Sequence, residues 1–471
     1  MSTPSSSIDV ELNHEDTPLL TSNIAKQFVL IAIPTTLGMV INGLYSFVDA
    51  IFISKGIGSH AMAAVSAVFP IQMLLIAIST MLGSGMASLI SRYLGGNRQQ
   101  DADVVFSASF LLAISISIIL SLLIFFNLSG IFDFLKVPQD LRGNATDYIT
   151  PIVLFWTIGF TSNQITEGFR ASGNPKAMMQ VLSSASILNI ILDAIFIFGF
   201  GWGVAGAAWA TIIAILMALL LGIKLQKSGQ SKVRFNTGYL FSPIRVHFKI
   251  LSLGLPVLMS HGGFSLTLAA TVYSISTFFS EQPDSIIAAH GILVRCFMFL
   301  FLPIIGMMIA LQTLSGFNYG AGQYQRVRSA YLVAIFASTL WGGLVTWLLC
   351  FNADLLIVLF TNDVQVIALG LDIAKVCFAG FIAAGFCMMS SGLFQGMGRA
   401  IPATFLDAAR NYILLFPLMY LLPTYFSTDD FWLAFPIADV TGGIFALLFS
   451  LTTLQYLTHR GDLPLKHKKF I

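Results

Sequence analysis

Two aspartates, Asp49 and Asp193, stand inside otherwise uncharged apolar runs of membrane length. An aspartate at the centre of a membrane helix costs roughly 2.5–3.5 kcal/mol on insertion scales, so acids at such positions point to ion or proton handling. Asn42, Tyr45 and Asp49 are spaced i, i+3, i+7 and share one helix face. Asn189 lies one turn before Asp193 on the same face. Thr211 falls in the next run, where a helix turning back from the Gly199–Gly206 corner comes alongside. At about 1.5 Å per residue, Asp49 sits about 7 Å, Asp193 about 10 Å and Thr211 about 12 Å from the same end of their helices, with Tyr148 at a similar depth. Two carboxylates that close in a low-dielectric lobe cannot both stay ionised cheaply, which makes a proton-coupling site. The oxygens of Asp49, Asn189, Asp193 and Thr211 equally suit a hard cation such as sodium. The residues leave both ions open. No other cofactor is expected: the seven histidines and the four cysteines (Cys296, Cys350, Cys377, Cys387) show no metal-ligand spacing.

The elements that must position these groups are membrane helices. The 471 residues are 56% hydrophobic and only 10% charged, with a mean hydropathy of +0.84. This composition excludes a soluble enzyme and gives no basic patch for nucleic acid. Twelve apolar runs are each long enough to span a bilayer, at approximately 24–54, 61–92, 101–127, 145–169, 175–200, 203–225, 245–279, 284–317, 327–352, 364–392, 401–424 and 430–457. Of the 24 Lys and Arg, only Lys55, Lys136 and Arg142 fall in the loops on one side; Arg295, Lys375 and Arg410 lie within spans, and the rest gather on the other side. That bias places both termini in the cytoplasm.

The chain repeats itself. Arg92-Tyr93-Leu94-Gly95-Gly96-Asn97 ends the second run as Asn318-Tyr319-Gly320-Ala321-Gly322 ends the eighth, with Gly95 and Gly320 separated by 225 positions. Phe169-Arg170-Ala171-Ser172-Gly173-Asn174-Pro175 is echoed by Phe394-Gln395-Gly396-Met397-Gly398-Arg399, and Pro34 by Pro256. The expected fold is therefore an all-α polytopic membrane protein, twelve transmembrane helices in two pseudo-symmetric six-helix bundles: a disordered cytosolic tail (1–22), an N-lobe (23–227), a cytoplasmic linker (228–244), a C-lobe (245–457) and a basic cytosolic tail (458–471). Parallel repeats of this kind place a substrate cavity between the halves, with Asn42, Tyr45 and Asp439 as candidate lining residues. The acids are not part of the repeated scaffold, since Asp49 falls opposite Thr271 and Asp193 near Leu418. Asp407 and Arg410, at i, i+3, are expected to pair with each other. Asp147 and Asp372 are read as helix-entrance acids. Glu167, Arg170 and Gln395 are read as gate or loop contacts, and Lys375 and Arg295 show no evident partner. Glu15 through Leu20 fits an acidic dileucine pattern too short to argue from alone.

Together, Pro34 followed by Asp49, the Arg92–Asn97 and Phe169–Pro175 stretches and the glycine-rich turn Gly201–Ala208 resemble the multidrug and toxic compound extrusion (MATE) transporters, over essentially the whole chain after residue 22. Within that family the two N-lobe aspartates resemble the prokaryotic DinF-like branch. The NorM-like and eukaryotic branches instead use a glutamate in the seventh or eighth helix, where this chain has no acid between Lys249 and Ser280 or between Ile286 and Phe317. The resemblance implies a non-enzymatic antiporter of a bacterial or archaeal cytoplasmic membrane; a twelve-span bundle can work alone, so a monomer is expected. It would export amphiphilic or cationic drugs against protons or sodium, with the ion network at Asp49, Asp193, Asn189, Thr211 and Tyr148 and Pro34 as the bending point of the first helix. A flippase for a lipid-linked precursor, the nearest alternative, would need a basic cavity, and a membrane enzyme would need a paired acid and base or a metal motif.

Overall fold

The computed structural model describes residues 18–279, 283–361 and 363–460. The first bundle comprises α1 (Ile24–Gly56), α2 (Ser59–Gly95), α3 (Gln99–Phe126), α4 (Arg142–Ala171), α5 (Pro175–Asp193, continued by a π-helix at Ala194–Gly199) and α6 (Gly203–Lys227). The second comprises α7 (Ile244–Phe278), α8 (Pro283–Gly320), α9 (Tyr324–Phe351), α10, α11 and α12 (Ala434–Arg460). Helix α10 is broken into Val364–Cys377 and Phe381–Gly396, bent by 55°. Helix α11 runs as Ala400–Ala408, a π-helix at Ala409–Leu415, and Phe416–Tyr425.

Among the described residues ten helices are long and apolar enough to cross a membrane, and the bent α10 makes an eleventh. The twelfth expected span, α4, is not among them. It is 30 residues long, but between its charged ends it carries Thr150, Thr157, Thr161, Ser162, Asn163, Gln164 and Thr166, and it buries Gln164, Glu167 and Arg170 against its neighbours. Its polar residues are accommodated by protein instead of lipid, so hydropathy alone misses it.

Some spans begin at side-chain caps that the sequence supplies. Asn23 and Asn174 cap α1 and α5 with side-chain oxygens that accept from the backbone N–H groups of Lys26 and Ala177, each at 3.2 Å. The repeat is written into the turns: Asn97 (φ 55°) and Gly322 (φ 74°) close α2 and α8, while Gly173 (φ 85°) and Gly398 (φ 74°) close α4 and α10. Each pair is one repeat apart. Two unrelated stretches would not place left-handed residues in the same register.

We call the end of the molecule where α2, α4, α8 and α10 finish the basic end, after its Lys and Arg. There the bundles meet through α2 on α7, α1 on α8, and α2 on α8. The contact is backbone on backbone. A Cβ at Gly95 would fall on the Phe317 carbonyl, and one at Gly320 on the Arg92 carbonyl; Gly85 stands likewise on the Ile250 carbonyl and Gly254 on that of Met81. Gly95/Phe317 and Arg92/Gly320 are exchanged by the repeat, so the pseudo-two-fold axis runs between them. Small residues let membrane helices approach this closely. Either Gly95→Ala or Gly320→Ala should therefore disfavour the closed basic end by about 1–3 kcal/mol through overpacking. The expected readout is a longer distance between spin labels on cysteines introduced at Lys176 and Ser329, two exposed positions in different bundles. An unchanged distance in both variants would show that the backbone contact does not set closure.

Candidate functional site

The α1 and α5 helices lie side by side, with α6 packed on α5. This brings the predicted acids together. Asp193 is 0% exposed and Asn189 2%. Asn189 Nδ2 donates to Thr211 Oγ1 at 3.1 Å, which fixes the amide so that its Oδ1 faces away from that bond. Asp49 lies beside Asp193, with the phenols of Tyr45 and Tyr148 close to both carboxylates. Tyr148 is itself buried and lies near Gln72 of α2.

The cluster is defined by what its oxygens do not touch. Asp49 Oδ1, both carboxylate oxygens of Asp193 and Asn189 Oδ1 are buried, and no protein donor reaches them. Buried acceptors are ordinarily hydrogen-bonded, and a bare pair of carboxylates is costly. Four acceptor oxygens from two helices fit a proton shared between the acids, or a hard cation held by Asp49, Asn189 and Asp193. Thr211 is placed to orient Asn189, with its own oxygen already accepting. The π-helix begins at Ala194, directly after Asp193, and such local widening of a helix recurs at functional sites. Of the candidate cavity residues, Asn42 and Tyr45 are half-buried on α1. Asp439 lies in the other bundle, away from the acids.

The basic end carries a second polar cluster. Arg170 Nε donates to Glu167 Oε2 at 2.7 Å, and its Nη1 crosses to the second bundle, donating to Gln312 Oε1 at 3.1 Å and Thr313 Oγ1 at 3.2 Å. Ser84 Oγ donates to Gln395 Oε1 at 3.2 Å, and Ser88 Oγ donates to the Gln395 carbonyl. Gln395 Nε2 donates to Ser391 Oγ at 2.9 Å, which donates to Asp407 Oδ2 at 2.7 Å. These bonds point one way, from the Arg170 cation to the Asp407 carboxylate. Arg170 and Gln395 thus make contacts across the lobe boundary, with Glu167 held on Arg170 within the first bundle. Ser84, Ser88, Gln312 and Thr313 were not foreseen, although Arg170 and Gln395 occupy equivalent repeat positions and so marked the place.

Two pairings differ from expectation. Arg410 does not pair with Asp407; its Nε donates to Asp439 at 2.6 Å and its Nη1 to Asn411 Oδ1 at 2.6 Å. The π-helix starting at Ala409 separates the two residues and rotates Arg410 off the α-helical face that i, i+3 spacing assumes. Asp439, proposed as a cavity residue, is consequently buried in an ion pair. Lys375 does have a partner, Asp372 at 3.3 Å, both exposed, while Arg295 is exposed on α8.

Two six-helix bundles related by a two-fold axis, shut by backbone contact at one end and holding buried acids toward the other, define a two-lobed membrane transporter fold. The MatE family profile matches residues 22–195 and 263–421. The chain belongs to that family, the MATE transporters. It is similar to the multidrug export protein MepA of Staphylococcus haemolyticus, 24% identical over 443 residues that cover 93% of this chain and 92% of that protein. It is equally similar to MepA of Staphylococcus aureus, 24% identical with 93% and 96% covered. Among solved structures, a multidrug resistance MATE family transporter in an outward-facing conformation superposes with a TM-score of 0.87 at 24% identity, covering 94% of this chain and 98% of that one. A MATE in a bent conformation superposes at 0.88, with the same identity and coverage.

Proposed function

We propose that this protein is a secondary active exporter that moves amphiphilic, cationic organic compounds outward against protons or sodium by alternating access. In this reading the basic end and both termini face the cytoplasm of a prokaryotic cell, and a single copy suffices. The observation that carries it is the set of four buried, unpartnered acceptor oxygens on Asp49, Asp193 and Asn189. Such a set binds a cation or proton strongly and therefore differs in free energy between states that hold the ion and states that do not. An ion and a drug that favour different states of the same protein are coupled, whatever the distance between them. The export activity of the MepA relatives supports the drug as cargo.

Pro34 supplies the mechanical element. It sits inside α1, where it cannot donate to the Leu30 carbonyl and so removes one helical bond at that turn. Next to it, the buried Thr35 returns its hydroxyl to the Ile31 carbonyl at 2.8 Å. The weakened turn lets α1 exchange between straight and bent forms and carry the state of Asp49 to the lobe contact at Thr36 and Gly306. Pro34→Ala should leave drug binding intact and slow transport, with a weakened dependence on the driving ion. Unchanged transport with unchanged ion dependence would refute the hinge.

The deciding experiment is efflux of ethidium or norfloxacin from everted vesicles, driven separately by a pH gradient and by a sodium gradient. Transport with one gradient and not the other identifies the ion. No response to either would overturn secondary transport.

A further inference from the structure

We propose that the dileucine segment at residues 18–22 is a latch, seated in an interlobe site that reads it as a peptide and holds the basic end closed. This inference rests on the alternating-access reading. Pro18–Thr21 forms a single helical turn leading through Ser22 and the Asn23 cap into α1. Leu19 and Leu20, read from the sequence as part of the cytosolic tail, are only 6% and 4% exposed. The residues that cover them come from both bundles.

From the second bundle, Asn318 Nδ2 donates to the Leu19 carbonyl at 3.2 Å, and Arg326 Nη2 donates to the carbonyls of Leu19 at 3.3 Å and Ser22 at 2.7 Å. The two side chains are themselves locked together, since Arg326 Nε donates to Asn318 Oδ1 at 2.8 Å. Asn318 is 0% exposed, so this is a built site and not a surface contact. From the first bundle comes the α4–α5 turn. A Cβ at Gly173 would lie 2.7 Å from Leu19 Cδ1, so the leucine rests directly on the glycine backbone.

The repeat explains why a leucine is needed there. Gly398 occupies the position equivalent to Gly173, and the Arg92 guanidinium reaches across from the other bundle to cover it. The residue equivalent to Arg92 is Phe317, whose ring comes only within 4.0 Å of the Cβ position of Gly173. Leu19 fills the space that the shorter side chain leaves. The latch thus completes a two-fold-related closure that the two repeats alone make only once. Separating the lobes at the basic end must either pull Leu19 off Gly173 or break the Arg326 and Asn318 bonds to the Leu19 and Ser22 carbonyls. With both leucines packed in this way, a partner that recognises an acidic dileucine can bind only after the latch is released.

The test uses the full chain in nanodiscs, with spin labels at Lys176→Cys and Ser329→Cys; the four native cysteines are all buried. Leu19→Ala/Leu20→Ala and Arg326→Gln attack the same contact from opposite sides. Each should raise the population of long inter-label distances by about fivefold, the effect of losing roughly one net hydrogen bond or its packing equivalent. Combined, they should open the end no further than either does alone. Distances unchanged in both variants, or effects that add in full, would overturn the latch. Arg326→Lys, which keeps the charge but cannot hold Asn318 and two carbonyls at once, serves if Arg326→Gln elutes as aggregate. The measurement needs neither drug nor gradient. A chain that fails to transport but opens on latch mutation refutes the exporter reading alone.

Discussion

With Asp49→Asn or Asp193→Asn in place, gradient-driven efflux is expected to fall to background while the protein still reaches the membrane and elutes as a folded species. Asparagine has nearly the shape of aspartate, so packing around the buried Asp193 is retained. It carries neither a titratable proton nor a charge, so the site can no longer bind one state of the ion in preference to another. Allosteric coupling is typically 1–3 kcal/mol, about 5–150-fold in equilibrium, and its loss leaves a protein that still binds drug without moving it uphill. The unpartnered oxygens make the expectation sharper, because no neighbouring donor satisfies them in place of the ion or proton. Export by either variant at the full wild-type rate would remove the acid pair from the mechanism. The assay is drug resistance in an efflux-deficient host alongside vesicle transport, with membrane abundance measured in parallel.

Arg170→Ala should produce the second large effect. The Arg170–Glu167 pair is buried, with side-chain exposures of 2% and 10%. Removing one member of a buried pair typically costs 3–5 kcal/mol, mostly because the other charge is left uncompensated. Here the same guanidinium also supplies the bonds to Gln312 and Thr313 across the lobe boundary. The variant should therefore lower the melting temperature and lengthen the Lys176–Ser329 label distance together. Arg170→Met combined with Glu167→Gln removes both charges and should recover much of the thermal stability, but not the closed distance. A variant that melts lower at an unchanged distance would make the pair structural within the first bundle, with no part in the gate.

Much of this architecture could be read from the residues. The 225-residue spacing of Gly95 and Gly320 carried the two-fold axis, and the shared depth of Asp49, Asn189, Asp193 and Thr211 carried the cluster. Both follow from helix rise and from membrane thickness, which hold in nearly any surroundings. Arg410 was legible only in part. Its spacing from Asp407 presumed an unbroken α-helix, and nothing in Ala408-Ala409-Arg410-Asn411 announces a π-turn. The gate residues Ser84, Ser88, Gln312 and Thr313 were hidden for another reason. Their partners lie in the other bundle, and small or neutral polar residues in a span look like ordinary helix filling until the lobes are docked. Leu19 and Leu20 were misplaced in the tail because six residues of sequence cannot show that a site for them exists 300 positions away.

At Gly85, Gly95, Gly254 and Gly320 the lobes close on carbonyls and glycine Cα atoms. Such a surface asks little of the side chains that face the space between the bundles. Substitutions that reshape the walls between the bundles can therefore accumulate without disturbing these backbone contacts. The reverse does not hold, since almost any change at Gly95 or Gly320 adds an atom where none fits. If the proposed export holds, a transporter built this way can change its cargo while the backbone contact that shuts it stays fixed.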